Sequence, residues 1–414
     1  MKNCIIIGGG IIGLSAAYYL QKEGHQVTII DKSDMDAGAS YVNAGFIIPS
    51  HFISLAAPGI ISKGLKWMFN PESPFYVKPR LDFDFLKWAW AFKKSATKKK
   101  VNLSIPVIKD INLLSRTLFE EIKASNVFDF HYERKGLLMY YQTDKEGENE
   151  WNVAKRAIKE GLEVELLSVE EVKKLEPKAD LNIKGAIYYK CDGHSTPKDF
   201  MTQMITYLKS KGVQLYTNEA VIDFKVANNV ISNVITDKRT IKADEVVLAA
   251  GSWSPLITKK LGIQISVQAG KGYRIDVERA TNITMPAVLI EAKVAVTPMN
   301  GFTRFAGTME IAGINHKINA VRVNAIAKAS EKFYSNLKIT SEEKAAAKCG
   351  LRPCSPDGLP FIGKSSKCNN LTIATGHAMM GWSLGPATGK LVSEIISDKK
   401  ISLDLNPFHP DRKF

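Results

Sequence analysis

The chain is 414 residues long, 45% hydrophobic and 24% charged, so it can bury a large core and is not a disordered, collagen-like or miniature protein. At roughly 150 residues per domain, two or three domains are expected, or two large interleaved ones. Lys and Arg number 56 against 42 for Asp and Glu; this +14 surplus suits nucleic acid, an anionic membrane surface or anionic substrates, without choosing among them.

In chain order, the first segment needs a decision. Lys2 followed by the uncharged stretch Cys4 to Leu20 looks superficially like a signal peptide. Gly8, Gly9, Gly10 and Gly13 would weaken an apolar signal helix, and the stretch runs into the strand-like Val27-Thr28-Ile29-Ile30 without a polar cleavage region. No later uncharged run approaches the ~20 residues of a membrane span. A cytoplasmic protein is expected, soluble or peripheral on the inner face of the membrane.

Cys4 to Ile7 reads as a strand, Gly8-Gly9-Gly10-Ile11-Ile12-Gly13 as a tight turn, and the residues from Leu14 to Leu20 as a helix. In that order Gly8 permits the turn, Gly10 lets the backbone approach a pyrophosphate, and Gly13 lets helix and strand pack closely. Asp31 ends the next strand, where a carboxylate can accept hydrogen bonds from a ribose diol. An acid there argues against a 2'-phosphate and hence against NADP, but does not separate NAD from FAD. No second fingerprint follows, so one dinucleotide is expected.

Ala39 to Phe46 is small and polar, suited to a loop that lets a ligand approach the backbone. Phe83 to Phe92 carries Trp88 and Trp90 and is followed by Lys93, Lys94, Lys98, Lys99 and Lys100. Such a stretch is a core helix with a solvated basic end, the first reading, or a helix on an anionic bilayer. Pro197 to Lys211 reads as a helix, Val213 to Tyr216 as a strand, and Val221 to Ile235 as short strands turning at Asn228-Asn229. Glu245 to Gly251 is a buried strand ending in small residues, residues 262–310 are β-rich, Ala325 to Phe333 is helical, and Leu371 to Ala374 is the last sheet strand. Pro386 opens a helix with Leu391, Val392, Ile395 and Ile396 on its apolar face. Strands at 4, 27, 213, 246 and 371 imply a nucleotide domain assembled from discontinuous pieces, 1–50, 146–255 and 345–414, with 51–145 and 256–344 forming the second domain.

Cys349-Gly350-Leu351-Arg352-Pro353 through Pro356-Asp357-Gly358, and Gly376-His377 through Gly381-Trp382-Ser383, join the fingerprint, Ser40-x-x-Asn43-Ala44-Gly45, Lys271-Gly272-Tyr273 and Arg304-Phe305-Ala306-Gly307. Together these motifs resemble the FAD-dependent D-amino-acid oxidase superfamily, which includes glycine and sarcosine oxidases, and within it bacterial D-amino-acid dehydrogenases. The matches run in order over nearly the whole chain. The resemblance implies α/β plus α+β architecture: a Rossmann-like FAD-binding domain with a discontinuous antiparallel-sheet substrate domain.

It also implies non-covalent FAD and oxidation of a C–N bond by hydride transfer from Cα to flavin N5. Cofactor contacts are expected from Gly8, Gly10, Ile11, Ile12, Gly13, Asp31, Lys32, Ala39, Ser40, Asn43, Ala44, Gly45, Val221, Ala250, Gly251, Trp253, Arg352, Met380, Gly381, Trp382 and Ser383. For an amino-acid carboxylate, Arg352 is the first anchor and Arg304 the second, because a guanidinium binds carboxylate bidentately. Tyr273 could add a hydrogen bond. His51 and His377 are read as structural or ring-contacting; no acid or base is assigned, since aligning C–H with N5 is the main task.

Cys349 stands where family members carry an aromatic residue, one position away from the flavin-linking cysteine of some sarcosine oxidases. The five cysteines, Cys4, Cys191, Cys349, Cys354 and Cys368, include no C-x-x-C pair, so neither disulfides nor a metal site is expected. A quinone or other carrier is the expected electron acceptor, and an oxygen-using oxidase is the alternative. A nucleic-acid-binding flavoprotein rests on the charge alone, and the lysines are too spread for a recognition motif. Met379, Met380 and Trp382 suggest an apolar wall for a compact ring, making D-proline or hydroxy-D-proline the first specific substrate.

Overall fold

The computed structural model describes residues 1–54, 56, 59, 73–78 and 80–414. A six-stranded sheet runs in the order Gln214–Tyr216, Gln26–Ile30, Asn3–Ile7, Glu245–Leu248, Leu371–Thr375, Phe361–Lys364. The first five strands are parallel and correspond to the five expected from sequence; Phe361–Lys364 adds an antiparallel edge that the apolar pattern did not announce. Ile5 and Ile6 are wholly buried because both faces of a parallel sheet are covered.

Two helices cross closely on one face, Ile11–Lys22 and Gly385–Ile396. Glycine sets the separation: a Cβ on Gly389 would sit 2.4 Å from the Ser15 carbonyl carbon. The same logic fixes helix against strand, where a Cβ on Gly13 would sit 1.9 Å from the Gly8 oxygen. The long helix Lys98–Ala124 packs on Gly385–Ile396 from outside, and its Ser115 hydroxyl accepts the Ala387 N–H.

The second sheet has nine strands: Lys348–Cys354, Gln268–Val277, Phe302–Ile311, Val294–Met299, Ala287–Leu289, Leu137–Tyr141, Gly185–Tyr189 and Val164–Leu167 in order, with Phe75–Val77 also paired to Phe302–Ile311. It is antiparallel apart from two parallel pairs, Ala287–Leu289 with Leu137–Tyr141 and Phe75–Val77 with Phe302–Ile311. Sheet membership departs from the expected boundaries, because Val164–Leu167, Gly185–Tyr189 and Lys348–Cys354 all join this second sheet. Short apolar runs do not encode which sheet they will join; strand pairing decides it.

Val221–Ala227, Val230–Thr236 and Thr240–Lys242 form a small meander. Asn228 and Asn229 both take positive φ, 51° and 59°, as a two-residue hairpin turn requires. The tryptophan-lysine stretch is the helix Phe83–Ser95, capped by the Asp82 carboxylate. Trp88 is 4% exposed and donates to the Cys354 carbonyl, whereas Trp90 is 59% exposed beneath the ammonium groups of Lys93 and Lys94. Among the described residues no helix is long and apolar enough to cross a membrane.

Candidate active site

A cavity of about 810 Å³ runs from the Gly8–Ile12 turn to the face of the nine-stranded sheet. At the turn, Gly8 has φ 109° and the Gly9 N–H donates to Asp31 at 2.7 Å. The other Asp31 oxygen accepts from the Ser33 N–H and hydroxyl, leaving the remaining lone pair on the oxygen that faces Gly9, and the residue lines the cavity. Ser40 accepts from the Ile11 N–H at 3.0 Å and so ties the loop after the second strand to the helix N-terminus. Lys32 lies 3.5 Å over the Trp253 ring, and burial lowers its pKa. Ile12, Ala39, Asn43, Ala44, Val221, Ala250 and Gly251 also line this stretch.

Two of the expected contacts sit behind the wall. Gly13 faces the Gly8 carbonyl, and a Cβ on Gly45 would meet the Ser195 carbonyl at 2.1 Å; both glycines serve close packing.

At the C-terminal loop Gly381, Trp382 and Ser383 line the cavity. The Trp382 indole donates to Ser195 at 3.0 Å, while Ser383 accepts from the Ile48 N–H and donates to Asn112. Met380 does not line the cavity: it packs in the core, where Asn112 approaches its sulfur at 3.8 Å. The turn sends its neighbour Met379 to the cavity mouth instead, 47% exposed. His377 is buried against the Thr388 hydroxyl, and desolvation lowers its pKa to about 3. His51 reaches the cavity with its Nδ1 on Ser50; desolvation, then Lys293, lowers its pKa to about 4. Ser50 also donates to Asp192, a wholly buried acid whose pKa desolvation pushes up to about 7.

The two arginines diverge. Arg352 lines the cavity, donates once to the Thr308 carbonyl at 2.7 Å, and lies so flat on Gly272 that a Cβ there would touch its guanidinium. Among the described residues no carboxylate pairs with it, and desolvation lowers its pKa. Arg304 is not in the cavity wall. It forks onto Asp276 at 2.9 and 3.1 Å and donates to the Tyr41 and Asn43 carbonyls, so the guanidinium expected to hold substrate instead pins the 41–43 loop. Cross-strand register explains the change, because Arg304 stands directly opposite Asp276.

The Tyr273 ring lines the cavity, but its hydroxyl donates to Glu310 at 2.8 Å, inside a buried cluster with Lys271 and Arg322. Its expected hydrogen bond to substrate is therefore replaced by a structural one. Cys349 is absent from the lining and directs its sulfur at the His316 carbonyl; Cys354 is packed in the core. Several lining residues were not singled out from sequence, Phe75, Lys293, Thr308, Met309, His316 and Ala378 among them. Thr308 and Ala378 hold φ of 62° and 49°, a conformation disfavoured for non-glycine residues, and the first carries the carbonyl that orients Arg352. No propensity in a single sequence signals such positions.

The DAO family model, described as FAD dependent oxidoreductase, matches residues 3–395. The chain belongs to this family of FAD-dependent oxidoreductases. As a member it is an oxidoreductase whose cofactor is FAD. The glycine turn, the Asp31 carboxylate and the length of the cavity fit that group. Among curated relatives, this family member is 31% identical over 399 residues to a D-amino acid dehydrogenase of Helicobacter pylori strain J99, covering 96% of this chain and 95% of that one. It is also 31% identical over 417 residues to a D-amino acid dehydrogenase of Vibrio vulnificus, covering 97% and 99%. Among solved structures, glycine oxidase from Geobacillus kaustophilus matches with a TM-score of 0.79 at 22% identity over the full length of both chains. L-proline dehydrogenase from P. horikoshii matches at 0.75 and 21%, covering 99% and 96%.

Proposed function

We propose that this flavoprotein oxidises the C–N bond of a small D-amino acid and passes the electrons to a quinone or another carrier. The observation that carries the reading is Arg352, a cation in the cavity wall with no carboxylate partner among the described residues. A desolvated guanidinium is poorly stabilised until an anion arrives, and its fork fits the planar carboxylate of an amino acid. Relatives named D-amino acid dehydrogenase at about 30% identity support the substrate class.

FAD, when bound, supplies the two-electron acceptor. The chain's own residues bind, orient and exclude water. Arg352 would fix the carboxylate, the Thr308 carbonyl would fix Arg352, and the ring face of Tyr273 with Met309 and Phe75 would shape an apolar space around the carbon skeleton. His51 and His377, with pKa values of about 4 and 3, stay neutral at pH 7 and add no positive charge that would compete for the carboxylate. Arg352, named for both roles, we assign to the substrate; the residues we assign to the cofactor are the other lining members of the set named from sequence, Gly8 through Ser383, with Gly13, Gly45 and Met380 supporting them from behind.

D-proline or hydroxy-D-proline is the first specific substrate, supported by the apolar wall that Trp382 and Met379 contribute. Anaerobic bleaching of the FAD with a panel of amino acids of both configurations tests it; bleaching by linear D-alanine ahead of every ring compound would refute the ring assignment. Peroxide formed rapidly in aerated solution would favour an oxygen-using oxidase over a dehydrogenase. A peripheral membrane contact is supported by the exposed apolar groups Leu81, Phe83, Leu86 and Trp90 beside Lys93 and Lys94.

A further inference from the structure

The cysteine spacing gives no sign of a metal site, and none was expected from the sequence. Away from the cavity, however, a strand ladder assembles one. Tyr132–Glu133 pairs antiparallel with Gly193–Ser195, placing Glu133 directly opposite His194. Residues two apart share a strand face, so His131 projects beside Glu133 and toward the same spot. One ligand atom from each of the three residues lies within 4.8 Å of the others.

The separations suit a small cation. His194 Nε2 is 3.5 Å and His131 Nε2 is 3.8 Å from Glu133 Oε2. Ligands held about 2.1 Å from a tetrahedral metal are themselves roughly 3.4 Å apart, so small side-chain shifts would close the site.

The state of His194 points the same way. It is 0% exposed, its Nε2 faces Glu133 at 3.5 Å, and neither ring nitrogen meets a partner in good hydrogen-bond geometry, although the Pro298 carbonyl lies near enough to favour the charged form. A buried polar group without a well-formed hydrogen bond is unfavourable, and a bound ion would offset that cost. The Thr196 hydroxyl bonds His131 Nδ1 at 2.9 Å. In the tautomer where Nδ1–H donates, Nε2 is left as the free ligand, the usual outer-sphere arrangement of metal-binding histidine.

We propose that His131, Glu133 and His194 form a binding site for a divalent transition metal of the zinc class, with water completing the coordination. Two imidazoles and one carboxylate favour such metals over Mg²⁺ or Ca²⁺, which take all-oxygen sites. Water has access through a surface concavity lined by His131, Glu133, Asp129, Asp199 and Asn300. Lys135, 2.8 Å from Glu133 Oε2 and 43% exposed, is the cation that the metal displaces. The site would clamp the ladder that continues to Phe46–Ile47, whose Phe46 lines the large cavity.

The test uses the full-length FAD-loaded chain without a histidine tag, stripped with a chelator and titrated with Zn²⁺ by calorimetry. One equivalent should bind, roughly ten-fold or more weaker in His131→Ala and in Glu133→Gln, both partly exposed positions. Co²⁺ should give visible absorption of a tetrahedral site that Zn²⁺ abolishes. Absence of saturable binding, or binding unchanged in both variants, would overturn the proposal. Retained FAD absorbance and an unchanged melting temperature without metal would show that the variants are folded.

Discussion

The two ends of the cavity are built from different materials. At the end we assign to the nucleotide, backbone groups and absent side chains do the shaping: Gly8 turns, Gly13 packs, and Asp31 is held by Gly9 and Ser33. At the other end the decisive element is a side chain, Arg352, held by one carbonyl and otherwise unpaired. The first end is nearly complete in itself. The second is left electrostatically unfinished, and a binding site for a charged molecule is recognised by that incompleteness.

Substitutions at the two ends should therefore fail in different ways. Gly13→Ala places a methyl 1.9 Å from the Gly8 oxygen. It should destabilise the fold by about 3 kcal/mol or more and yield protein low in FAD, read from the absorbance ratio and the melting temperature. Arg352→Met should keep FAD and stability but lose about 3 kcal/mol of transition-state binding, roughly 10² in kcat/KM. Reductive half-reaction rates check it, and a colourless Arg352→Met protein would break the contrast between the ends.

Desolvated histidines, His51 and His377 in the cavity wall and His194 outside it, make a prediction about acid. His51, His194 and His377 titrate at about 4, 4 and 3 in the folded chain against 6.5 in the unfolded one. Below pH 6.5 the unfolded state takes up protons that the folded state refuses, so stability should fall as pH drops from 6.5 toward 4. Asp192, raised to about 7, acts oppositely, favouring the folded state as pH falls from 7 toward 4. His25 and His131, also lowered, act with these histidines, and Glu150 and Glu176, also raised, act with Asp192; with five histidines against three carboxyls, the melting temperature should fall over this range, and His377→Gln should flatten the fall. A profile identical to the parent's would remove His377 from the account.

The smallest effect is expected outside the cavity. Trp90→Ser should change stability by less than about 0.5 kcal/mol. It should reduce co-sedimentation with anionic vesicles while leaving turnover of a water-borne dye unchanged. Equal sedimentation by the parent and the variant would leave the apolar face without a membrane role.

Much of the nucleotide end was legible because its signals are local: a strand, glycines at fixed offsets, a helix, then an acid at the next strand's end. The substrate end was read less well for a reason of geometry. Tyr273 and Arg304 sit on paired strands whose register shifts between Lys271 and Tyr273, so what each side chain meets depends on a partner some thirty residues away. Glu310 and Asp276 claimed both. Met379 and Met380 differ only in which way a turn throws them, and apolarity does not encode that direction.

The sequence by itself determined the glycine turn between strand and helix and the five parallel strands, since turn chemistry and apolar patterning are properties of short segments; Arg352 stood out only through the Gly350-Leu351-Arg352-Pro353 motif around it. Only the tertiary structure decided which arginine remains unpaired, where Tyr273 sends its hydroxyl, and that His131, Glu133 and His194 converge. Those outcomes depend on strand register, a relation between distant segments that is fixed when the sheets pack.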